Sequence, residues 1–290
     1  MKFWQSVAQT EMDQLIEIAV FAEELGFAGI TVSDHLVKPR EIRTPYPYTD
    51  DGRPFWAADD PFPDPWVLIA AMAQETTRLR FMTYVFVLPV RDPFSVAKAV
   101  STAAVLSNDR VVLGVGVGWM EEEFALTGQA FPGRGRRTDE MIEIIEGLLT
   151  GEMVEHHGEF YDFPPVQMAP TPSRRVEVRV GGHTAASFRR AARNDGWLGL
   201  NYPPAELEGI IHQLKEERIR AGAQDRSFDV MIAHYPSSPD AGEYEQYAQL
   251  GATSVNVPAW CYRREAAPTL DDKRRSMEQF AERYIVPFGS

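Results

Sequence analysis

Four short stretches of the chain carry residue types that do chemistry. Asp34-His35 places a carboxylate beside an imidazole. An imidazole takes or gives a proton near neutral pH, and a nearby carboxylate favours its charged form. The plainer reading of His35 is a side chain bonded to a loop carbonyl. The run VVLGVGVGWMEEE at 111–123 alternates Gly114, Gly116 and Gly118 with Val115 and Val117. Alternate residues share one side of a strand, so one face there lacks side chains and another molecule can approach the backbone. Trp119 ends the run, and Glu121, Glu122 and Glu123 follow where a first helical turn favours negative charge. This stretch reads as a binding floor, with a tight strand-helix crossing as the competing reading. A Rossmann fingerprint fits poorly, because the third glycine is misplaced and no acidic residue closes a second strand about 20 residues on. Gly181-Gly182-His183-Thr184 precedes a helical stretch and offers amides, a hydroxyl and a helix N-terminus to an anion such as phosphate. An ordinary turn capped by Thr184 competes with it. The fourth stretch, TYVFVL at 83–88, ends an apolar run.

Other chemistries find less support. Arg134, Arg136 and Arg137, with Arg174 and Arg175, are clustered positives in an acidic chain, suited to guiding an anion or to a solvated surface. His156-His157, His183, His212 and His234 show no metal-ligand spacing, and no cysteine cluster joins them, so no metal site is expected. No G-x-S-x-G elbow is present, and a thiol nucleophile would rest on Cys261 alone.

The elements that must position these residues follow one rhythm. Apolar runs at 2–7, 28–33, 79–88, 110–116, 176–180, 196–200, 228–233 and 253–257 read as strands. Helical stretches follow them, among them 10–25 (capped by Thr10), 66–75, 95–106, 138–149, 185–193, 205–221, 243–250 and 271–284. Strands alternating with helices imply parallel pairing and right-handed crossovers. About eight such units closing on themselves give a (β/α)8 TIM barrel, with a doubly wound open sheet as the runner-up. The fold class is therefore α/β, a single domain over 1–290 with no composition break. In such a barrel function sits at the C-terminal ends of the strands, which is where all four stretches fall. Two irregular excursions, 37–65 and 150–173, carry many prolines, and both are expected over that same rim. The first holds Tyr46, Tyr48, Phe55, Trp56 and Phe62, and a loop so long is commonly a lid or binding loop.

Composition narrows the partners. The chain has 290 residues, 44% of them hydrophobic, and a net charge of −13. That charge disfavours nucleic acid and anionic membrane as partners. A lone cysteine, a start without a signal-peptide core and no long apolar run lead to the expectation of a cytoplasmic protein.

The residues also resemble a known family. S-D-H-L at 33–36, T-x-V-x-V-L-P at 83–89, G-V-G-x-G-W with a following E-E at 114–123, R-x-x-x-x-x-E-x-I at 137–145 and G-G…R-R-A-A-R…D-G-W at 181–197 occur in register. Together they resemble the luciferase-like monooxygenase superfamily, within it the branch of deazaflavin (coenzyme F-420)-dependent oxidoreductases. The resemblance implies a (β/α)8 barrel with inserted loops, binding a flavin or deazaflavin at the C-terminal rim. It implies a non-proline cis peptide near Tyr84-Val85, with the coenzyme ring against Thr83, Tyr84 and Val85. The coenzyme phosphate would meet Gly181, Gly182, His183 and Thr184, and the backbone of Gly116, Val117 and Gly118. His35 would face the reactive carbon as proton partner, oriented by Asp34.

Two departures shape the expected substrate. Relatives usually carry a small residue where Tyr84 stands. Relatives that oxidise sugar phosphates place a catalytic Glu where this chain has Trp119, so a sugar phosphate is not expected. Trp119 and Trp56 suit an apolar, planar or unsaturated small molecule. The expected activity is hydride transfer between a deazaflavin and such a substrate. The alternatives are an FMN-dependent monooxygenase on the same barrel, using oxygen and a separate reductase, a coenzyme carrier without catalysis, and a metal-dependent hydrolase. Relatives are often dimers, which makes a homodimer the assembly to test.

Overall fold

The computed structural model describes residues 1–235, 241–260 and 268–288; Cys261 lies outside them. Eight strands pair in parallel around a closed circuit: β1 (Lys2–Ser6), β2 (Gly29–Val32), β3 (Arg80–Thr83), β4 (Val111–Gly116), β5 (Glu177–Gly181), β6 (Gly196–Leu198), β7 (Asp229–Ala233) and β8 (Ser254–Val257). Pairing of Phe81 with Val111 joins β3 to β4, and pairing of Lys2 with Ser254 joins β1 to β8. The sheet therefore has no free edge, which is the barrel and not the open sheet. Nearly every strand residue is buried, as expected where the barrel interior lies on one face and helices on the other.

The surrounding helices are α1 (Leu15–Glu24), α2 (Pro65–Gln74), α3 (Pro93–Leu106), α4 (Glu121–Leu126), α5 (Arg134–Leu149), α6 (Ala185–Arg193), α7 (Pro204–Arg220), α8 (Ala241–Leu250) and α9 (Leu270–Phe280). Local chemistry sets several starts. Asp64 and Asp92 cap α2 and α3, each with a proline just inside the helix. Thr10 does not cap α1: a 3-10 turn at Met12–Gln14 intervenes, and the buried Thr10 hydroxyl makes no hydrogen bond to the helix start.

The third strand is not continuous. After Thr83 the Tyr84-Val85 peptide is cis, and pairing resumes at Phe86–Val87. Val85 projects into the glycine face of the neighbouring strands. A Cβ on Gly116 would lie 2.5 Å from the Val85 side chain, and one on Gly181 2.8 Å. On Gly114 it would meet the Thr83 carbonyl oxygen at 1.9 Å. The bare face of 114–118 is thus filled by the protein's own bulge, which corrects the reading of that face as open to another molecule.

The second excursion is also corrected. Residues 150–173 contain an antiparallel hairpin, Val154–His157 with Asp162–Val166, that packs on the flank of α3 and α5 rather than over the rim. Phe163 stacks edge-on to Phe94, and Glu140 accepts from the amides of Phe160 and Tyr161.

Candidate active site

His35 follows β2 at the mouth of the barrel, with its side chain 13% exposed. Its ring stacks on Trp56 at 5.0 Å and meets Phe62 and Trp119 edge-on. Its Nδ1 lies 3.3 Å from Oε2 of Glu123, whose other oxygen accepts from the Leu36 amide at 2.6 Å. Glu123 is itself 1% exposed, on α4. A buried carboxylate with both oxygens engaged holds the imidazole in one orientation. Glu123 is the residue that sequence reasoning assigned only to a helix start.

Asp34 does not orient His35. Neighbouring residues in extended chain point to opposite sides, and Asp34 turns the other way. It binds Arg91 through both oxygens at 2.8 Å and accepts from the Val87 amide at 2.8 Å. Burial pushes its carboxyl up, against the pull of the Arg91 guanidinium. Asp34 therefore fastens the end of β2 to the strand that resumes after Val85.

The coenzyme-binding candidates fall on one rim. Thr83 is buried, and its hydroxyl exchanges hydrogen bonds with the Gly114 backbone. Tyr84 crosses the mouth and donates to the Gly199 carbonyl. Val85 is half-buried above the glycines. Val117 and Gly118 follow at the end of β4, where the Gly118 carbonyl accepts from Arg134 Nε at 3.0 Å. Gly182 has φ of 122°, a conformation suited to glycine, and its carbonyl accepts from the Trp197 indole at 2.7 Å. Thr184 caps α6 in a reciprocal arrangement with Ser187. Its hydroxyl is thereby engaged, so an anion here would be met by the first-turn amides of α6. His183 is exposed, its ring edge-on to Tyr48 at 5.6 Å.

That last contact shows that segment 37–65 spans the mouth from the β2 side to the β5 side. Its aromatic residues form one cluster: Tyr46 touches Tyr48, Phe55, Trp56 and Trp119. Trp56 is buried as a wall of this cluster, whereas Trp119 remains half-buried at the mouth. The phenols of Tyr46, Tyr48, Tyr84, Tyr202 and Tyr235 lie near enough to feel one another's charge. Burial pushes Tyr202 up to about 12, and Tyr84 well above its usual value. All of them are neutral hydrogen-bonding groups near pH 7. Among the described residues no group of three His, Cys, Asp or Glu is placed to hold a metal, and no helix is long and apolar enough to cross a membrane.

The spanning segment is tethered by Glu122, which accepts from the amides of Arg43 and Thr44 at 2.6 and 3.1 Å and from the Thr44 hydroxyl at 2.9 Å. Burial pushes the Glu122 carboxyl up, but these donors bring it below the usual carboxylate value. Replacing Glu122 by alanine is expected to loosen the segment by about 1–2 kcal/mol. Proteolytic cleavage within 37–65 should then be roughly 10-fold faster, with the global melting temperature nearly unchanged. Unaltered cleavage would mean that the tether does not hold the segment.

Comparisons with known proteins agree with this architecture. Residues 2–277 match the family model for luciferase-like monooxygenase. An uncharacterised protein of Mycobacterium tuberculosis is 38% identical over 290 residues, covering 99% of each chain. An F420-dependent glucose-6-phosphate dehydrogenase of Kribbella flavida is 31% identical over 286 residues, covering 94% of this chain and 80% of that one. In fold the chain is similar to monooxygenase RslO1 from Streptomyces bottropensis, with a TM-score of 0.79, 20% identity and full coverage of both chains. This chain belongs to the luciferase-like monooxygenase family.

Proposed function

We propose that the protein is a deazaflavin-dependent oxidoreductase that transfers hydride between its coenzyme and a neutral, planar or unsaturated small organic molecule. The observation that carries this reading is His35, held by Glu123 and Trp56 at a barrel mouth lined by phenols and indoles. The similarity to an F420-dependent enzyme favours the deazaflavin over FMN. The residues present fit such a group. The bulge at Tyr84-Val85 offers a shelf across the mouth, and the first turn of α6 offers amides to a phosphate.

A bound deazaflavin supplies a carbon that accepts or gives hydride, without the stable oxygen adduct of a reduced flavin. The protein's own residues do the rest. The first-turn amides of α6 would hold the phosphate, and the shelf at 84–85 would orient the ring. The 37–65 segment excludes water from the mouth, and its aromatic cluster favours flat apolar substrates. His35 holds or delivers the proton at its Nε2, the nitrogen not engaged by Glu123. Where sugar-phosphate-oxidising relatives carry a catalytic Glu this chain has Trp119, which supports a neutral substrate.

Fluorescence titration of the apoprotein with oxidised deazaflavin coenzyme, and separately with FMN, tests the assignment. Micromolar or tighter binding of the deazaflavin, with FMN about 100-fold weaker, is expected, a discrimination of about 2.7 kcal/mol. Preference for FMN would replace this reading with an oxygen-using monooxygenase served by a reductase.

A further inference from the structure

Tyr202 follows β6 on the rim of the barrel, between Leu198 and the start of α7 at Pro204. In the closed circuit of strands β6 stands opposite β2, so Tyr202 and His35 lie on opposite sides of the mouth. The Tyr202 ring is fixed in place. It stacks on Trp197 at 6.0 Å, and the Tyr202 carbonyl accepts from the Tyr247 hydroxyl at 3.0 Å. The residue is 7% exposed, yet its hydroxyl has no hydrogen-bond partner among the described residues. The Leu200 amide approaches the phenol oxygen, which leaves the hydroxyl proton free to be donated. The other phenol that reaches β6, Tyr84, spends its proton on the Gly199 carbonyl. Tyr202 and Tyr84 feel each other's charge, and Tyr202 also feels Tyr48 of the spanning segment, so the unspent hydroxyl belongs to the mouth. A buried hydroxyl without a partner is costly, because it has given up water and gained nothing in exchange. A rigid ring that keeps such a group at a binding mouth is organised in advance for a ligand.

We propose that Tyr202 donates a hydrogen bond to the far end of the substrate and thereby selects a flat, neutral, two-ring molecule with an acceptor oxygen away from the carbon that faces His35. The inference rests on the deazaflavin reading above and narrows its substrate class. Position sets the length: an oxygen received beside β6 while the reacting carbon stays beside β2 requires a molecule that spans the mouth. Chemistry sets the end group. The phenol is neutral near pH 7 and gives its proton to a carbonyl or ether oxygen. Glu206 lies near enough to act on it, and that negative charge disfavours an anionic end group. A site built to bond an oxygen rejects the analogue that lacks one, since its own polar group then stays unpaired.

The test uses the protein loaded with oxidised deazaflavin and two probes of one shape, acetylnaphthalene and isopropenylnaphthalene, which differ only in a carbonyl oxygen against a methylene. The wild type is expected to bind the ketone more tightly. In Tyr202→Phe the ratio of the two affinities should fall about 10-fold, about 1.4 kcal/mol, with the affinity for the hydrocarbon nearly unchanged. Thermal melting separates a ligand-binding role from a structural one. A hydroxyl with no partner in the protein can be removed without loss, so Tyr202→Phe should melt at the wild-type temperature or above it. A fall of several degrees would overturn the inference, because the hydroxyl would then be bonded within the protein. An unchanged ratio, or binding of neither probe to the loaded wild type, would overturn it too and leave the deazaflavin reading standing. Failure of the coenzyme itself to bind would strike that reading, and this inference with it.

Discussion

Replacing Asp34 by alanine is expected to destabilise the protein by about 3–5 kcal/mol, the typical loss when one partner of a buried ion pair is removed. The size follows from what remains. The Arg91 guanidinium, 14% exposed, would lose both of its 2.8 Å contacts to carboxylate, and the Val87 amide would lose its acceptor. Arg91 also lies over the Phe86 ring at 4.1 Å, so it cannot swing into solvent without giving up that contact. Denaturant unfolding would read the loss directly. Asp34→Ala combined with Arg91→Leu should recover much of it, since two apolar groups leave no uncompensated charge. A single-variant loss below about 1 kcal/mol would show that the pair is not what fastens the bulge. The functional consequence is indirect: Asp34 holds the strand on which Tyr84 and Val85 are presented, so coenzyme affinity should fall together with stability.

The same residues mark how far the sequence could be read. The barrel was legible because each buried strand is a short apolar run and each helix carries its own stripe, which are local signals. The position of the break at Tyr84-Val85 was legible only through the family resemblance, since nothing in TYVFVL distinguishes it from an unbroken strand. Adjacency misled at Asp34-His35. Two neighbours in extended chain face apart, and the true partners lie far off in sequence: Arg91 is 57 residues from Asp34, and Glu123 is 88 from His35. The glycines at 114–118 announced a missing face, but only the fold shows that Val85 fills it. The 154–166 hairpin was hidden by Pro164 and Pro165, which lower the strand signal of a segment that lies outside the barrel. Local pattern thus fixes elements, whereas the site depends on contacts between chain segments that no local pattern encodes.

His35→Ala is expected to lower turnover by about 10²–10⁴-fold, the usual contribution of a positioned proton donor or acceptor. Glu123→Gln should lower it by about 10–10³-fold, although Glu123 itself need not touch the substrate. The carboxylate accepts from Nδ1 while its other oxygen takes the Leu36 amide at 2.6 Å, so imidazole tautomer and ring angle are set together. An amide at this position keeps the shape but offers no charge to an imidazolium, and its N–H₂ can face Nδ1 and favour the wrong tautomer. The stacked Trp56, 5.0 Å from the ring, preserves the ring's location in Glu123→Gln. Coenzyme affinity, measured by fluorescence, should therefore stay within about twofold while kcat falls. Glu123→Asp, which restores the charge at a longer distance, should recover activity only in part. If both Glu123→Gln and His35→Ala bound coenzyme normally and kept wild-type kcat, the proton would have to come from another group, and the phenols of Tyr46, Tyr84 and Tyr235 around the mouth would be next. Loss of coenzyme binding in parallel with kcat would instead make Glu123 a structural brace between α4 and the Leu36 backbone. The split between affinity and kcat separates a positioning role from a merely structural one, because only a group acting through His35 leaves the ground-state complex intact while raising the barrier.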